Sequence, residues 1–389
     1  MRAGLTAGGT FPTVYVHVRR FRTMKLPPFL LDHWIAKYEF ADPPIAYNLA
    51  ASTGPKLSLH ELVAMGGGSL EDVALSYAPP EGQKSLRAAI ADFHGVDPDW
   101  VVVTTGGSEA LAILYCLAVE PGAEIVLPDP GFPAFDTVAS AWGLKTKHYA
   151  LRREDGFVQT VDAVLAATGS KAVLALVNAP HNPTGTVMPR REIERLASEL
   201  KDRGARLIVD EVYRPIYFGK PEASAAGIDN VIVVSDMSKA LSLPGLRTGW
   251  LISADSELRK RAIDVRSYFT ISSSPLLESL TRHALINREA IFARLRAVAE
   301  RNVALLTEFM ARASNTLDWV PPAGGTVCFP WFRDGRDARP FCEAAAARGV
   351  LIAPGDCFGA PSHMRFGFGA QAEGYDRALA VLAEVLSAR

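Results

Sequence analysis

Cysteine is scarce: four residues in 389, Cys116, Cys328, Cys342 and Cys357, with no Cys-x-x-Cys pair among them. That spacing gives no paired-cysteine metal or redox motif, and the chain is too long to be a small scaffold stapled by disulfides. Read as reduced thiols, the four place the protein in the cytoplasm. No apolar run approaches the length of a membrane span, so no transmembrane helix is expected. Net charge is also nearly absent, since 41 basic and 42 acidic side chains leave -1. Nucleic-acid binding would call for a basic domain or stripe, and none is visible. Acidic residues are missing from the start, where Arg2, Arg19, Arg20 and Arg22 all precede Asp32. Such a start is compatible with a transit peptide. However, Gly8-Gly9, Pro12 and Val14-Tyr15-Val16 break up any amphipathic helix. Residues 1–25 are therefore read as an N-terminal extension, a loose arm or an overlong gene start, outside the fold.

What remains is ordinary globular material, 49% hydrophobic and 21% charged, and long enough for two cores. The chain is organised around one stretch. The β-branched run Val231-Ile232-Val233-Val234 reads as a buried strand. Past its end comes Ser235-Asp236-Met237-Ser238-Lys239-Ala240-Leu241-Ser242-Leu243-Pro244-Gly245-Leu246-Arg247-Thr248-Gly249-Trp250. A solvated lysine usually has charged neighbours, whereas Lys239 lies among Met, Leu and Pro. Partial burial disfavours the ammonium, and a neutral amine can attack a carbonyl to form a Schiff base. Arg247, eight positions on, offers a planar fork of donors suited to phosphate.

Taken whole, Ser-Lys-Ala-Leu-Ser-Leu-Pro-Gly-Leu-Arg-Thr-Gly-Trp resembles the lysine motif of class I/II aminotransferases, the fold-type I enzymes that use pyridoxal 5′-phosphate. Further motifs follow in the order that resemblance requires. The strand Trp100–Thr105 runs into Gly106-Gly107-Ser108-Glu109 and an apolar helix expected over 110–119. Such a turn is an anion site at a helix N-terminus, and the resemblance assigns Gly107 and Ser108 to the phosphate. Phe132, in Asp129-Pro130-Gly131-Phe132-Pro133, falls where the family stacks an aromatic ring on the pyridine. In Asn178-Ala179-Pro180-His181-Asn182-Pro183-Thr184-Gly185, two prolines and a glycine exclude helix. There Asn182 matches the partner of the cofactor's phenolic oxygen, and His181 is read as a structural neighbour. In Asp210-Glu211-Val212-Tyr213, Asp210 matches the anion beside the pyridine nitrogen, which favours the protonated, electron-accepting ring. Tyr213 matches a second partner of the phenolic oxygen, and Glu211 is read as structural. Ser238 joins the cofactor set. Tyr77, in Tyr77-Ala78-Pro79-Pro80-Glu81-Gly82, matches a tyrosine that reaches the phosphate of the neighbouring subunit. Arg365, in Met364-Arg365-Phe366-Gly367-Phe368, matches the clamp for the substrate α-carboxylate.

The resemblance covers residues 26–389 and implies a mostly parallel seven-stranded sheet flanked by helices, with a smaller α+β domain. The expected division is a large cofactor domain over 61–290, and a small domain from 26–60 and 291–389. It also implies a homodimer with shared sites, small-molecule amino-acid and 2-oxo-acid substrates, catalysis by Lys239, Asp210 and Tyr213, and no metal site. Independently of the resemblance, strands alternate with helices, and most candidates sit just past strand ends, where ligands gather in open α/β sheets. One departure stands out: the family commonly has serine or threonine three residues before the lysine, and this chain has Asp236. The Leu-Ser-Leu-Pro-Gly-Leu-Arg, Tyr268-Phe269-Thr270-Ile271-Ser272-Ser273-Ser274-Pro275 and Gly324-Gly325-Thr326-Val327 stretches are also similar to capreomycidine synthase-like members, which eliminate and cyclise. A third reading, a non-catalytic ligand-sensing domain, would leave the chemistry unused.

Overall fold

Six largely apolar segments and one polar edge segment pair into one sheet, and the spacing of their side chains explains how it is covered. The computed structural model describes residues 28–66 and 70–388, so the extension 1–25 lies outside the described residues. The strands are β1 (Val101–Thr104), β2 (Glu124–Asp129), β3 (Lys145–Ala150), β4 (Ala172–Asn178), β5 (Arg206–Asp210), β6 (Val231–Asp236) and β7 (Gly249–Ile252). They lie in the order β1-β7-β6-β5-β4-β2-β3. Only β7 runs antiparallel to its neighbours, β1 and β6. Alternate residues of one strand enter opposite cores: Val101 and Val103 pack on one face, Val102 on the other. Both faces being covered, the inner strands read as largely continuous apolar runs, whereas the edge strand β3, Lys-Thr-Lys-His-Tyr-Ala, is polar and mostly exposed. On one face lie helix 107–118, through Ala110, Leu111 and Leu114, and helix 256–267, through Ala262 and Val265. On the other lies helix 190–202, whose Ile193, Leu196, Ala197 and Leu200 form one buried stripe.

One helix onset differs slightly from the sequence expectation. The helix after β1 starts at Gly107, not Ala110, so Gly107 and Ser108 form its first turn. A further helix runs from Lys84 to His94, and the preceding Gln83 gives no side-chain cap. Past the sheet come two consecutive helices, Pro275–Ile286 and Arg288–Arg312, with Asn287 between them.

An early segment and a late one meet. Tyr47–Asn48 pairs in parallel with Val350–Leu351, and the Leu49 carbonyl accepts the Gly367 N–H at 2.6 Å. A three-stranded antiparallel sheet places Met364–Gly367 between Val327–Cys328 and Ala353–Pro354. A Cβ on Gly367 would stand 1.9 Å from the Ala51 carbonyl oxygen, so only glycine lets the segment around residue 50 lie this close.

Candidate active site

Three parallel strand ends carry the acidic and amide side chains. Asn178 ends β4, Asp210 ends β5 and Asp236 ends β6. One cavity of about 180 Å³ at these ends is lined by Gly107, Ser108, Phe132, Asn182, Asp210, Tyr213, Ser238, Lys239 and Arg247 among others. Nine of the predicted residues thus share one site. Two stand apart from this list. Arg365 joins through its bond to Asn182, and Tyr77 is 83% exposed on the surface.

The turn carrying the lysine is pinned at its base by the pairs Ser235↔Trp250 and Asp236↔Gly249. Lys239 and Arg247 therefore lie in one closed loop. A Cβ on Gly249 would fall 2.4 Å from the Gly106 carbonyl carbon, so glycine is what lets this loop touch the start of helix 107–118. Ser242 and Arg247 hold left-handed φ values of 59° and 48°, a strain that functional turns store. Arg247 donates from Nη1 to the Pro244 carbonyl at 3.1 Å, while its Nη2 would meet a Gly106 Cβ at 2.8 Å. The guanidinium is thereby laid along the glycine turn.

Lys239 Nζ donates to Ser52 Oγ at 2.9 Å. Burial pushes this amine below the usual lysine range, and Asp236 and Asp210 pull it back up. Asp210 is buried, and burial raises its carboxyl to about 7 against the Val212 N–H bond, 3.0 Å long, that favours the anion. Tyr213 is buried with no hydrogen-bond partner of normal geometry for its hydroxyl among the described residues. Burial raises this phenol to about 12, while Arg365 and Ser52 act in the other direction. Arg365 is 1% exposed and donates from Nη1 to Asn182 Oδ1 at 3.1 Å and from Nη2 to the Ala50 carbonyl at 2.7 Å. Phe132 packs edge-on to Phe29 and Phe135 at the cavity wall. His181 bonds Thr184 through Nδ1 at 2.8 Å, and burial lowers it to about 3, so it is neutral.

A model of the family described as aminotransferase class I and II matches residues 70–382. The chain belongs to that family. Capreomycidine synthase of Streptomyces vinaceus is 30% identical over 370 residues, 93% of this chain and 94% of that one. A PLP-dependent aminotransferase from Streptococcus suis superposes with a TM-score of 0.86 at 26% identity, covering 94% of this chain and 99% of that one. The PLP-dependent cyclase OrfR also gives 0.86, at 27% identity, covering 95% and 100%.

The cofactor of class I/II aminotransferases is pyridoxal 5′-phosphate, and these residues fit it. An amine held below its ordinary basicity, an unpartnered buried phenol and a strand-end carboxylate surround the cavity. Arginine and a helix N-terminus close one end of it, which is donor chemistry for a phosphate. Among the described residues no group of three or more side chains could hold a metal ion, and no helix is long and apolar enough to cross a membrane.

Sequence reading missed Ser52 and Asp32. Ser52 lies 187 positions from the lysine it bonds, and nothing local marks it. Asp32, exposed by area, feels the charges of Lys239 and Arg365, though burial of its inner side dominates and raises it. A buried brace was missed as well. Trp250 Nε1 donates to His94 Nε2 at 3.0 Å, so the neutral ring carries its proton on Nδ1, facing Ser224 at 2.9 Å. Ser224 Oγ donates to Glu211 at 2.7 Å, and Glu211 also accepts the Ala225 N–H. Glu211, read as structural, anchors the residue next to Asp210.

Asp210 makes the cofactor-free protein's stability depend on pH. Its folded value, about 7, is above the ordinary 3.8, so the folded state binds the extra proton between them. The unfolded state binds fewer protons there, and stability falls as pH rises through that window, by at most ~4 kcal/mol. Asp210→Asn should abolish that part of the slope. Thermal unfolding of both proteins between pH 4 and 7 checks it, and parallel slopes would refute it.

Proposed function

We propose that the chain is an aminotransferase that moves the α-amino group of an L-amino acid to a 2-oxo acid, with Lys239 making the Schiff base to the cofactor. The observation that carries this reading is the placement of Lys239. Lys239 lines one cavity with Asp210, Tyr213 and Asn182, and Asn182 is bonded by Arg365. Bound pyridoxal phosphate supplies the aldehyde and an electron-accepting ring. With that group bound, Lys239 would be the base that takes the substrate α-proton and the acid that gives it back. Its lowered basicity keeps the neutral form accessible for that work. Ser52 Oγ holds Nζ at one end of its travel. Asp210 would hold a proton on the ring nitrogen. Asn182 and the Tyr213 hydroxyl would orient the phenolic oxygen. Gly107, Ser108, Ser238 and Arg247 would hold the phosphate, and Phe132 would cover the ring. Arg365 takes the substrate α-carboxylate with the donors left after its bonds to Asn182 and Ala50.

A second reading keeps the site and changes the outcome to elimination and cyclisation. It is favoured by the 30% identity to capreomycidine synthase across nearly the whole chain. Incubating the holoenzyme with a panel of L-amino acids decides between them. At least one donor should convert the bound cofactor to pyridoxamine phosphate, recovered after release. If none does while a donor is consumed, the reaction is not transamination.

We further propose a cytoplasmic homodimer, divided into a large domain over 61–290 and a small domain from 26–60 and 291–389. Tyr77 and Tyr268 are each 83% exposed, Leu75 82% and Ile271 49%. Buried Arg266 ties their loops together by donating to the Pro80 carbonyl and to Ser273 Oγ. Apolar side chains left out this way mark an interface, and Tyr77 is placed on it to reach the partner's phosphate. Sedimentation should show a dimer, and Tyr77→Ala should weaken cofactor binding by about tenfold, the loss of one charge-assisted hydrogen bond. A monomer that retains full affinity would refute this.

A further inference from the structure

Asp236 stands where the phosphate cradle is placed, and its carboxylate already holds two of the cradle's donors. Oδ1 accepts the Ser238 N–H at 2.7 Å and Oδ2 accepts the Gly107 N–H at 3.3 Å. A Cβ on Gly107 would stand 3.4 Å from Oδ2. An anion in this cradle therefore lies against another anion. At pH 7 a phosphate monoester carries a charge near −2. Two like charges a few ångströms apart at a protein surface repel each other strongly. The charged and titratable groups facing Asp236 are few. Arg247 lines the same cavity, and Lys239, Asp210 and Tyr213 sense the Asp236 charge. Glu109, on the same helix turn, is turned away to the Thr105 N–H and Arg266. Arg247 is the one guanidinium in this set and burial disfavours the Lys239 ammonium, against a carboxylate and a phosphate dianion.

We propose that Asp236 and the cofactor phosphate share one proton, so that cofactor binding takes up a proton that a serine or threonine at this position would not require. The proposal rests on the cradle assignment made above. The shared proton converts a repulsion into a short charge-assisted hydrogen bond. It leaves the Ser238 and Gly107 N–H groups donating to the pair. Asp236 is a positioning residue in this scheme and takes no part in moving the substrate proton.

The test uses the full-length protein freed of cofactor and titrated with pyridoxamine 5′-phosphate, which has the same phosphate but makes no imine with Lys239. Calorimetry in Hepes and in Tris, whose ionisation heats differ, counts protons taken up between pH 7 and 8.5. Wild type should take up about one more proton than Asp236→Ser, and its affinity should fall about tenfold more per pH unit. Asp236→Asn, which keeps the shape and an acceptor for Ser238, should behave like the serine variant and covers the case in which that variant does not fold. Equal uptake in all three proteins overturns the proposal and leaves the cradle standing. If wild type binds pyridoxamine as tightly as its phosphate ester, the cradle assignment itself fails.

Discussion

Replacing Lys239 with alanine is expected to lower turnover by on the order of 10⁴-fold, the upper end of what one acid–base group supplies, and to end covalent attachment of the cofactor. The fold should survive, because the side chain makes a single hydrogen bond, to Ser52 Oγ. Lys239→Arg separates charge from chemistry. It keeps a cation facing Asp236 and Asp210, but a guanidinium does not give up its proton in a protein. It should be as inactive as the alanine variant while holding the phosphate more tightly. Borohydride reduction followed by peptide mapping reads the attachment directly. Label at another lysine, or activity within tenfold of wild type, would sink the assignment.

The second large effect is expected at Arg365. Two of its five N–H donors are used by Asn182 and Ala50, and its guanidinium lies 5.1 Å from the centre of the Phe358 ring. The fork is thus fixed before substrate arrives, and burial pushes its basicity down without discharging it. Arg365→Lys keeps a charge and loses the fork. The kcat/KM for amino-acid donors should fall about 10²-fold, the loss of about 3 kcal/mol from a buried charge pair. An amine donor lacking the α-carboxylate gives the control, since its kcat/KM should change little. Equal losses for both donors would mean that Arg365 supports the fold and does not grip the carboxylate.

Much of this site was legible because it is built from local strings. The lysine loop, Asn182-Pro183-Thr184-Gly185 and Asp210-Glu211-Val212-Tyr213 each follow an apolar strand, and a parallel sheet brings such strand ends to one edge. The inner parallel strands were legible for the same reason, since strands covered on both faces read as apolar runs, whereas the polar edge strand Lys145–Ala150 carried no such signal. What could not be read were contacts made across long stretches of chain. Ser52 meets Lys239, and His94 meets Trp250, at separations of 187 and 156 residues, with no periodic signal in either partner. The onset of helix 107–118 was misplaced because Gly107 and Ser108 are poor helix formers on their own. Their place in the first turn is fixed by the close packing of Gly249 against Gly106.

Residues 50–52 are in contact with both working ends of the site: the Ala50 carbonyl with Arg365, the Ser52 hydroxyl with Lys239. Thr326 clasps the same strap by donating to the Ser52 carbonyl at 2.8 Å. The guanidinium proposed to take the acid end of a guest and the amine proposed to work on its neighbour are therefore strung on one thread. A mutation that shifts this tripeptide to admit a new guest must also retune the amine, and the two properties are expected to drift together across variants.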